Sequence, residues 1–432
     1  MNFLFTTWEG GGNVTPALEA VRKLVARGHH VRVMSEECNR PESEAAGARF
    51  IAWRRAPNRT ARTPETDLVR DWAAESPQDA LISVVRDTWA GPALAHAQDV
   101  IEELTHEPAD LVVTCEGLFG VMAGCERLNQ RFVTLCPNIS LTPQPGIPPL
   151  GPGLPPARND DERAFHRDLA NMLVALLDTG LPSLNNARTT LGLAPLEHLL
   201  DQFKPAVAEL LATSRAFDFP SDQLPKKVRY VGPQIGDPHW AQPWTSPWPQ
   251  DDTRPLIAVS FSTTFQNHAH VLQNVIDALS TLPARVLVTL GGSIKRDTLR
   301  APENTVLLDS APHSQVMKHA ALVITHGGHG TVMRALLNRL PILVIPHGRD
   351  QNDNAIRVTQ RRAGLSLTPD ASIDTIRDAC TRLLNDPKFK IAAKNLGDQI
   401  AIDTENSTII QELESAATAE CEYESTRHAV GD

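Results

Sequence analysis

The sequence predicts an α/β protein built from two doubly wound domains that face each other across a cleft. Its 432 residues exceed what one hydrophobic core serves, since single domains run to about 100–200 residues. Residues 3–34 carry the pattern of a strand, a loop, a helix and a second strand, the building block of a parallel sheet. A second series of strands and helices starts at residue 256. We therefore expect one parallel sheet with helices on both faces in each half of the chain.

The first unit has the clearest local signals. Residues 3–7 form a short apolar, β-prone run that predicts a strand. Thr15 is a favoured N-cap residue and Pro16 suits the first helical position, so we expect the first helix to begin at Pro16. Gly28 is expected to end that helix, and residues 31–34 resume the sheet.

The rest of the first half repeats this succession with longer insertions. Residues 110–114 predict a buried strand, residues 121–128 a helix and residues 132–135 the next strand. Residues 54–95 carry few strand signals and many polar and charged side chains, which predicts helices and mobile loops. Eight prolines between residues 137 and 156 predict a stiff irregular loop.

The second half follows a linker. In the first half, residues 161–190 predict helical structure. The proline-rich stretch at residues 234–255 then separates the two halves. Strands with helical segments between them are expected at residues 256–260, 286–290, 306–308, 322–325 and 342–345. We divide the chain into an N-terminal domain, a linker, a C-terminal domain and a terminal helix, with the bounds 1–233, 234–255, 256–400 and 401–418. The charged stretch after Thr418 is expected to be frayed.

Composition argues against several classes of partner. The formal net charge is −10 and the pI about 5.8, so the basic footprint that nucleic acid or an anionic membrane requires is missing. We expect no stable membrane insertion, because no apolar run reaches the ~18 residues of a spanning helix. The six cysteines lack metal-site spacing, which predicts free thiols in a reducing compartment and hence a cytoplasmic enzyme.

One stretch carries the most chemical information. Thr325, His326 and two glycines follow a predicted strand directly and lead into a helix. Glycines let backbone amides approach an anion closely, the helix N-terminus adds partial positive charge, and His326 supplies a donor for a phosphate oxygen. After the next strand, the sequence PHGRDQ places Asp350 beside Gln351, a carboxylate and a carboxamide that can together hold several sugar hydroxyls. These consecutive strand ends indicate a nucleotide-sugar site.

This ordered set resembles the donor signature of the nucleotide-sugar-dependent glycosyltransferases with the GT-B fold, the UDP-glycosyltransferase family. It is most similar to the bacterial antibiotic- and macrolide-type members. Residues 311–315, residues 229–233, and Gly291 with Gly292 support the resemblance, which extends over nearly the whole chain. It implies a GT-B fold with the acceptor in the N-terminal domain and the donor in the C-terminal one. It also implies a C-terminal helix that packs back on the first domain.

The resemblance further assigns residues. It implies that His326 contacts the diphosphate and that Asp350 with Gln351 holds the sugar of a UDP- or dTDP-sugar. It implies an inverting transfer without bound metal or resident cofactor. The roles of His329 and His347 stay open, since each either packs in the core or binds the donor. The residues expected to bind the donor are Ser262, Thr263, Gly291, Pro312, His313, Gln315, His326, Gly328, His329, Gly330, Thr331, Asp350 and Gln351.

The sequence departs from the family at the catalytic base. The family places a His or an Asp in the first loop, three residues before a proline, where this chain has Asn13. An uncharged amide cannot act as a general base. The usual partner carboxylate is expected after the strand at residues 110–114, where this chain has Cys115 and Glu116.

Three explanations for this departure stay open. An acidic or intrinsically nucleophilic acceptor needs only orientation by Asn13, since general-base help is worth about 10²–10⁴-fold. Alternatively, Glu9 or Glu116 serves as the base, or the protein is catalytically weak or silent. The candidate catalytic residues are therefore Asn13, Glu9, Glu116 and His326.

The predicted function is transfer of a sugar from a UDP- or dTDP-sugar to a small phenolic or polyketide-like acceptor, by a monomer or homodimer. Two alternatives are a nucleotide-sugar epimerase on the same fold and a weakly active, nucleotide-sugar-binding auxiliary protein. An NAD-dependent oxidoreductase is disfavoured, because the GxGxxG spacing is missing. Residues 54–95 and 137–190 are expected to choose the acceptor, and they follow no readable code.

Overall fold

Two parallel sheets organise the chain in a computed structural model that describes residues 1–237, 243–262, 266, 268–291 and 294–418. The strands of the first sheet are β1 (Asn2–Thr6), β2 (His30–Ser35), β3 (Arg49–Ala52), β4 (Leu111–Cys115), β5 (Phe132–Cys136), β6 (Ala208–Leu211) and β7 (Val228–Tyr230). The strands of the second are β8 (Leu256–Ser260), β9 (Arg285–Thr289), β10 (Thr305–Leu308), β11 (Ala320–Thr325), β12 (Ile342–Val344) and β13 (Gly364–Ser366).

Strand order makes both sheets doubly wound. The first runs β3-β2-β1-β4-β5-β6-β7 and the second β10-β9-β8-β11-β12-β13, with every neighbouring pair parallel. The winding reverses between β1 and β4 and between β8 and β11. In such sheets ligands bind outside the carboxyl ends of the strands, near the reversal. The predicted α/β, doubly wound class is confirmed.

Helices cover both faces of each sheet. Those of the first half are α1 (Val14–Ala26), α2 (Arg40–Ala45), α3 (Pro77–Val84), α4 (Ala93–His106), α5 (Phe119–Leu128), α6 (Asp160–Leu177) and α7 (Leu181–Thr190). Those of the second half are α8 (Ala269–Leu279), α9 (His313–Val316), α10 (His329–Leu337), α11 (Gln351–Gln360), α12 (Ile373–Asn385), α13 (Pro387–Glu405) and α14 (Ile409–Thr418). No helix among these described residues is both long and apolar enough to cross a bilayer.

Alternating side chains give each sheet two apolar layers. On β1, Leu4 packs with the helices of one face, whereas Phe3 and Phe5 pack with those of the other, and all three are fully buried. Each fully buried large apolar side chain contributes about 1.5–3 kcal/mol of hydrophobic stabilisation. Burial on both faces explains why the strands are continuous apolar runs in the sequence.

The start of α1 differs from its prediction. We expected Thr15 to be the N-cap, but α1 begins at Val14 and Asn13 is the N-cap residue, without a capping bond from its side chain. The Asn13 side chain bonds within the preceding loop instead, so loop geometry rather than cap preference sets the start. The predicted stop at Gly28 is correct: Gly28 has a φ of +86° and donates to the Val25 carbonyl.

The last helix returns to the first domain. Ile409, Leu413 and Ala417 of α14 are buried in the same apolar layer as Phe3 and Val21. The predicted bound at residue 400 falls inside α13, and α14 is the element that packs on the N-terminal sheet. The stretch after Thr418, predicted to be frayed, lies outside the described residues.

Candidate active site

The predicted phosphate-binding turn lies at the carboxyl edge of the second sheet. β11 ends at Thr325, His326 follows it directly, and α10 begins at His329. Gly327 has a φ of +98°, and a Cβ there would lie 2.8 Å from a Val344 methyl carbon, so this position requires glycine. The first amides of an α-helix have no partner within it, which suits this edge to an anion.

The His326 side chain is buried, with 8% of its surface exposed. Burial lowers the pKa of His326 well below its usual range, and His268, His347 and Arg349 act in the same direction. The ring is therefore neutral near pH 7. A neutral imidazole carries one N–H, so His326 can donate to a phosphate oxygen.

Asp350 and Gln351 begin α11, just beyond the neighbouring strand β12. The Asp350 Oδ2 accepts from the Asn138 Nδ2 at 3.0 Å and from the Asn354 Nδ2 at 2.9 Å, and burial raises the pKa of Asp350. The buried Gln351 accepts at Oε1 from the His347 backbone N–H at 2.7 Å. Gln351 thus braces the loop after β12, and Asp350 contacts the first domain.

The loop after β8 joins the same network. The Gln266 Nε2 donates to the Ser262 Oγ at 3.1 Å, and the Gln266 Oε1 accepts from the Gln351 Nε2 at 3.1 Å. Ser262 is therefore linked through Gln266 to Gln351, one of the two residues predicted to hold the sugar. The predicted donor residue Thr263 and the supporting Gly292 lie outside the described residues.

A second group of predicted donor residues follows β9 and β10. Gly291 has a φ of +64° after β9, and Pro312 is the N-cap of α9. The His313 Nε2 lies 3.3 Å from the Thr289 Oγ1, and burial lowers the pKa of His313 to about 4. Gln315 is exposed. These residues thus follow β9 and β10, which lie two and three strands away from β11 in the sheet.

The first turn of α10 contains both expected and unexpected roles. Gly328 is its N-cap, followed by Gly330 and Thr331 in the first turn, as the predicted turn requires. The His329 ring, however, hydrogen-bonds with the Thr213 Oγ1 at 2.8 Å. The His329 ring also packs on the ring of Phe217, so His329 joins the two halves of the chain.

Asn13 holds the loop after β1 closed. Its Nδ2 donates to the Trp8 carbonyl at 2.8 Å, and its Oδ1 accepts from the Gly10 N–H at 3.2 Å. Asn13 also lies close enough to Cys115, the last residue of β4, to lower the pKa of its thiol slightly against the larger effect of burial. Asn13 therefore has a positioning role in the loop where the family carries its base.

Glu9 forms an ion pair with Arg62. Its Oε2 accepts from the Arg62 Nε at 2.8 Å and its Oε1 from the Gly11 N–H at 3.0 Å, with 7% of the residue exposed. Arg62 also pairs with Glu42. Glu9 is therefore held in place by Arg62 and by the backbone of its own loop.

Glu116 has the properties of a base. It is half-buried directly after β4, and its Oε1 accepts from the Leu141 N–H at 3.0 Å. Burial raises the pKa of Glu116 to about 7, although bonds with Leu141 and Cys136 act in the opposite direction. Leu141 lies in the same loop as Asn138, which hydrogen-bonds to Asp350. This loop therefore connects the Glu116 carboxylate to a residue predicted to hold the sugar.

Several contacts across the cleft could not be predicted from the sequence. The Arg349 Nε donates to the Asp71 Oδ2 at 2.6 Å, and the Gly151 N–H donates to the Asp353 Oδ2 at 2.7 Å. Together with the Asn138–Asp350 bond, they join three segments of the first domain to the loop after β12 and to α11. These partners are 202 to 278 residues apart in sequence, and no local motif marks them.

Comparison with known proteins agrees with this architecture. Residues 273–416 match the family described as "Erythromycin biosynthesis protein CIII-like, C-terminal domain". The chain is 28% identical over 416 residues to "4'-demethylrebeccamycin synthase" of Lentzea aerocolonigenes, a match that covers 92% of this chain and 95% of that protein.

Solved structures show the same fold. A structure described as "the Glycotransferase of kitacinnamycin" superposes with a TM-score of 0.74 at 16% identity, covering 96% of this chain and 98% of the other. "CalG4, the Calicheamicin Glycosyltransferase" gives a TM-score of 0.72 at 20% identity, with the same coverage. The predicted GT-B fold is confirmed.

Proposed function

We propose, from the premise that this chain is a GT-B-fold glycosyltransferase similar to those of antibiotic biosynthesis, that it glycosylates a small molecule from a nucleotide sugar. The donor is a UDP- or dTDP-sugar, the acceptor is phenolic or polyketide-like, and the transfer inverts the anomeric carbon. It uses no bound metal or resident cofactor. The names of the relatives favour neither the epimerase nor the auxiliary protein.

One observation carries the proposal: His326, the N-terminus of α10 and Asp350 converge at the carboxyl ends of the neighbouring strands β11 and β12. In the proposed step, the acceptor heteroatom bonds to the anomeric carbon while the bond from that carbon to the diphosphate oxygen breaks. Negative charge develops on the diphosphate, and the His326 N–H and the helix amides stabilise it. Donors fixed in advance in this way contribute strongly to catalysis.

Glu116 is the proposed acceptor of the proton released by the attacking group. Its pKa of about 7 leaves it partly ionised at neutral pH, whereas Glu9 is tied to Arg62. Asn13 orients the loop. A cytoplasmic location and a monomeric or homodimeric state accompany this proposal as predictions from the sequence.

The substitution Glu116→Gln is expected to lower kcat about 10²–10⁴-fold, because it removes general-base help. In the unchanged protein, kcat/KM should fall as the pH drops below about 7, since the base must be deprotonated, and Glu116→Gln should abolish this limb of the profile. Rates are measured as release of UDP or dTDP. Glu9→Gln is the control: loss of kcat only there would make Glu9 the base, and unchanged kcat in both would favour an acceptor that needs none.

The donor site is tested by thermal unfolding with UDP, dTDP, GDP and NAD in turn, with and without EDTA. A ligand at 100 times its Kd stabilises the native state by about 2.7 kcal/mol, which is readily detected as a rise in Tm. We expect a rise with UDP or dTDP that EDTA does not reverse. A rise with NAD alone, or none at all, would contradict the proposed donor site.

A further inference from the structure

Three histidines surround Phe261 at the carboxyl edge of the second sheet. The Phe261 ring centroid lies 5.3 Å from that of His268, 5.7 Å from His347 and 6.3 Å from His326. The rings of His268 and His347 are 5.5 Å apart. His326 follows β11 and His347 follows the neighbouring strand β12. His268 precedes α8, after the loop that begins at the end of β8.

Two of these rings lack hydrogen-bond partners. His268 is 1% exposed, yet neither of its ring nitrogens makes a hydrogen bond to the described part of the chain. The Ile345 backbone acts on the His347 ring as a weak hydrogen-bond partner, but neither ring nitrogen of His347 makes a hydrogen bond of good geometry to the described residues. Leaving a buried polar group unsatisfied is costly, and such groups in native proteins generally meet water, an ion or a ligand. The His268 ring therefore indicates a partner that belongs to the site.

The groups around these two rings favour an anionic partner. The groups that act electrostatically on the His268 ring are His347, His270 and Arg349, and those on His347 include His270. None of these groups is a carboxylate, although Arg349, the one permanent charge among them, also pairs with Asp71. Among the described residues, no three His, Cys or acidic side chains are arranged to hold a metal ion. The N-terminus of α10 adds partial positive charge beside His326.

We propose that His268 and His347 are further donor-site residues, whose ring nitrogens bind phosphate oxygens of the nucleotide sugar beside His326, and that this pair takes up a proton when the donor binds. The inference rests on the proposed function, because it assumes that the diphosphate occupies the turn at His326. It adds two phosphate contacts, from His268 and His347, and a pH dependence of donor affinity.

Both rings are neutral near pH 7 when no donor is bound. Burial is the main cause that lowers the pKa of His268 to about 3 and that of His347 to about 4. A bound diphosphate raises these pKa values, because its negative charge stabilises an imidazolium. Donor affinity therefore increases as the pH falls through the pKa of the bound state, by up to about tenfold per pH unit for one proton. The affinity becomes constant again only below the pKa values that the two rings have when no donor is bound.

The test is titration calorimetry of the full chain with UDP, between pH 6 and 8, in two buffers of different ionisation enthalpy. The terminal phosphate of UDP itself titrates near pH 6, so proton uptake is read as the difference between the unchanged protein and each variant. His268→Gln and His347→Gln keep a neutral donor but cannot take a proton. We expect UDP to bind each variant about tenfold more weakly than the unchanged protein at pH 6, with near-equal affinity at pH 8.

Controls separate this inference from the proposed function. His106→Gln, at an exposed histidine that ends α4 in the first domain, should leave both affinity and proton uptake unchanged. Equal affinity and equal proton uptake in the unchanged protein and both variants would overturn the inference. Failure of UDP and dTDP to bind the unchanged protein would instead overturn the proposed donor site. If His268→Gln does not fold, the half-buried His347 carries the test alone.

Discussion

Replacement of His326 by alanine is expected to lower kcat about 10²–10³-fold, the cost of removing one fixed donor to a developing negative charge. The His326 ring is buried and neutral at the end of β11, so its position is fixed before the donor binds. The effect should appear in kcat more than in KM, because the interaction strengthens as the diphosphate leaves. Release of UDP or dTDP at saturating donor measures it.

The same substitution at His329 is the matched comparison. Both histidines lie in the turn that begins α10, but the His329 ring bonds to Thr213 and packs on Phe217. We expect His329→Ala to lower Tm and to change kcat only a few-fold. Unchanged turnover in His326→Ala would remove His326 from the mechanism, and a larger loss in His329→Ala would reverse the assignment of the two rings.

The substitution Asp218→Ala is expected to lower the free energy of unfolding by about 3–5 kcal/mol, the cost of leaving one charge of a buried pair uncompensated. Asp218 Oδ1 accepts from the Arg357 Nε at 2.9 Å and Nη2 at 2.6 Å, and its Oδ2 accepts from the Tyr230 hydroxyl at 2.8 Å. The side chains of Asp218 and Arg357 are only 3% and 1% exposed. Urea denaturation followed by circular dichroism measures the loss.

Two further variants show whether burial is the cause. Glu162→Ala breaks the solvent-screened pair with Arg158 and should change the free energy of unfolding much less than Asp218→Ala does. The double variant Asp218→Ala, Arg357→Met removes both charges and should be more stable than Asp218→Ala alone. A loss below about 1 kcal/mol in Asp218→Ala would contradict the expected penalty for an unpaired buried arginine.

The regular elements were largely predictable because they depend on short stretches of sequence. The strands expected at residues 256–260 and 342–345 are observed as Leu256–Ser260 and Ile342–Val344. Buried parallel strands are short apolar runs, and these are visible without tertiary information. The start of α1 was mispredicted at Thr15 because the preference for a capping residue is weaker than the bonds that hold Asn13 in its loop.

The candidate site was predictable where its residues adjoin in sequence. His326 and the Asp350–Gln351 pair each follow a strand end, and neighbouring parallel strands bring such ends together. The role of His329 depends on Thr213, and the pairing of Glu9 depends on Arg62. Neither partner is marked by a local pattern. These assignments required the fold, because side chains distant in sequence decide which titratable groups are free.

The return of α14 to the first domain affects how this protein is made on the ribosome. Ile409 and Leu413 complete an apolar layer whose other members include Phe3 and Val21. After the first domain's last strand ends at Tyr230, nearly 180 residues must be translated before α14 is available. At about 5–20 residues per second, that layer stays exposed for roughly 10–40 s on the nascent chain. During this interval the N-terminal domain offers an apolar surface to chaperones, so the rate of translation through the C-terminal domain influences the yield of folded enzyme.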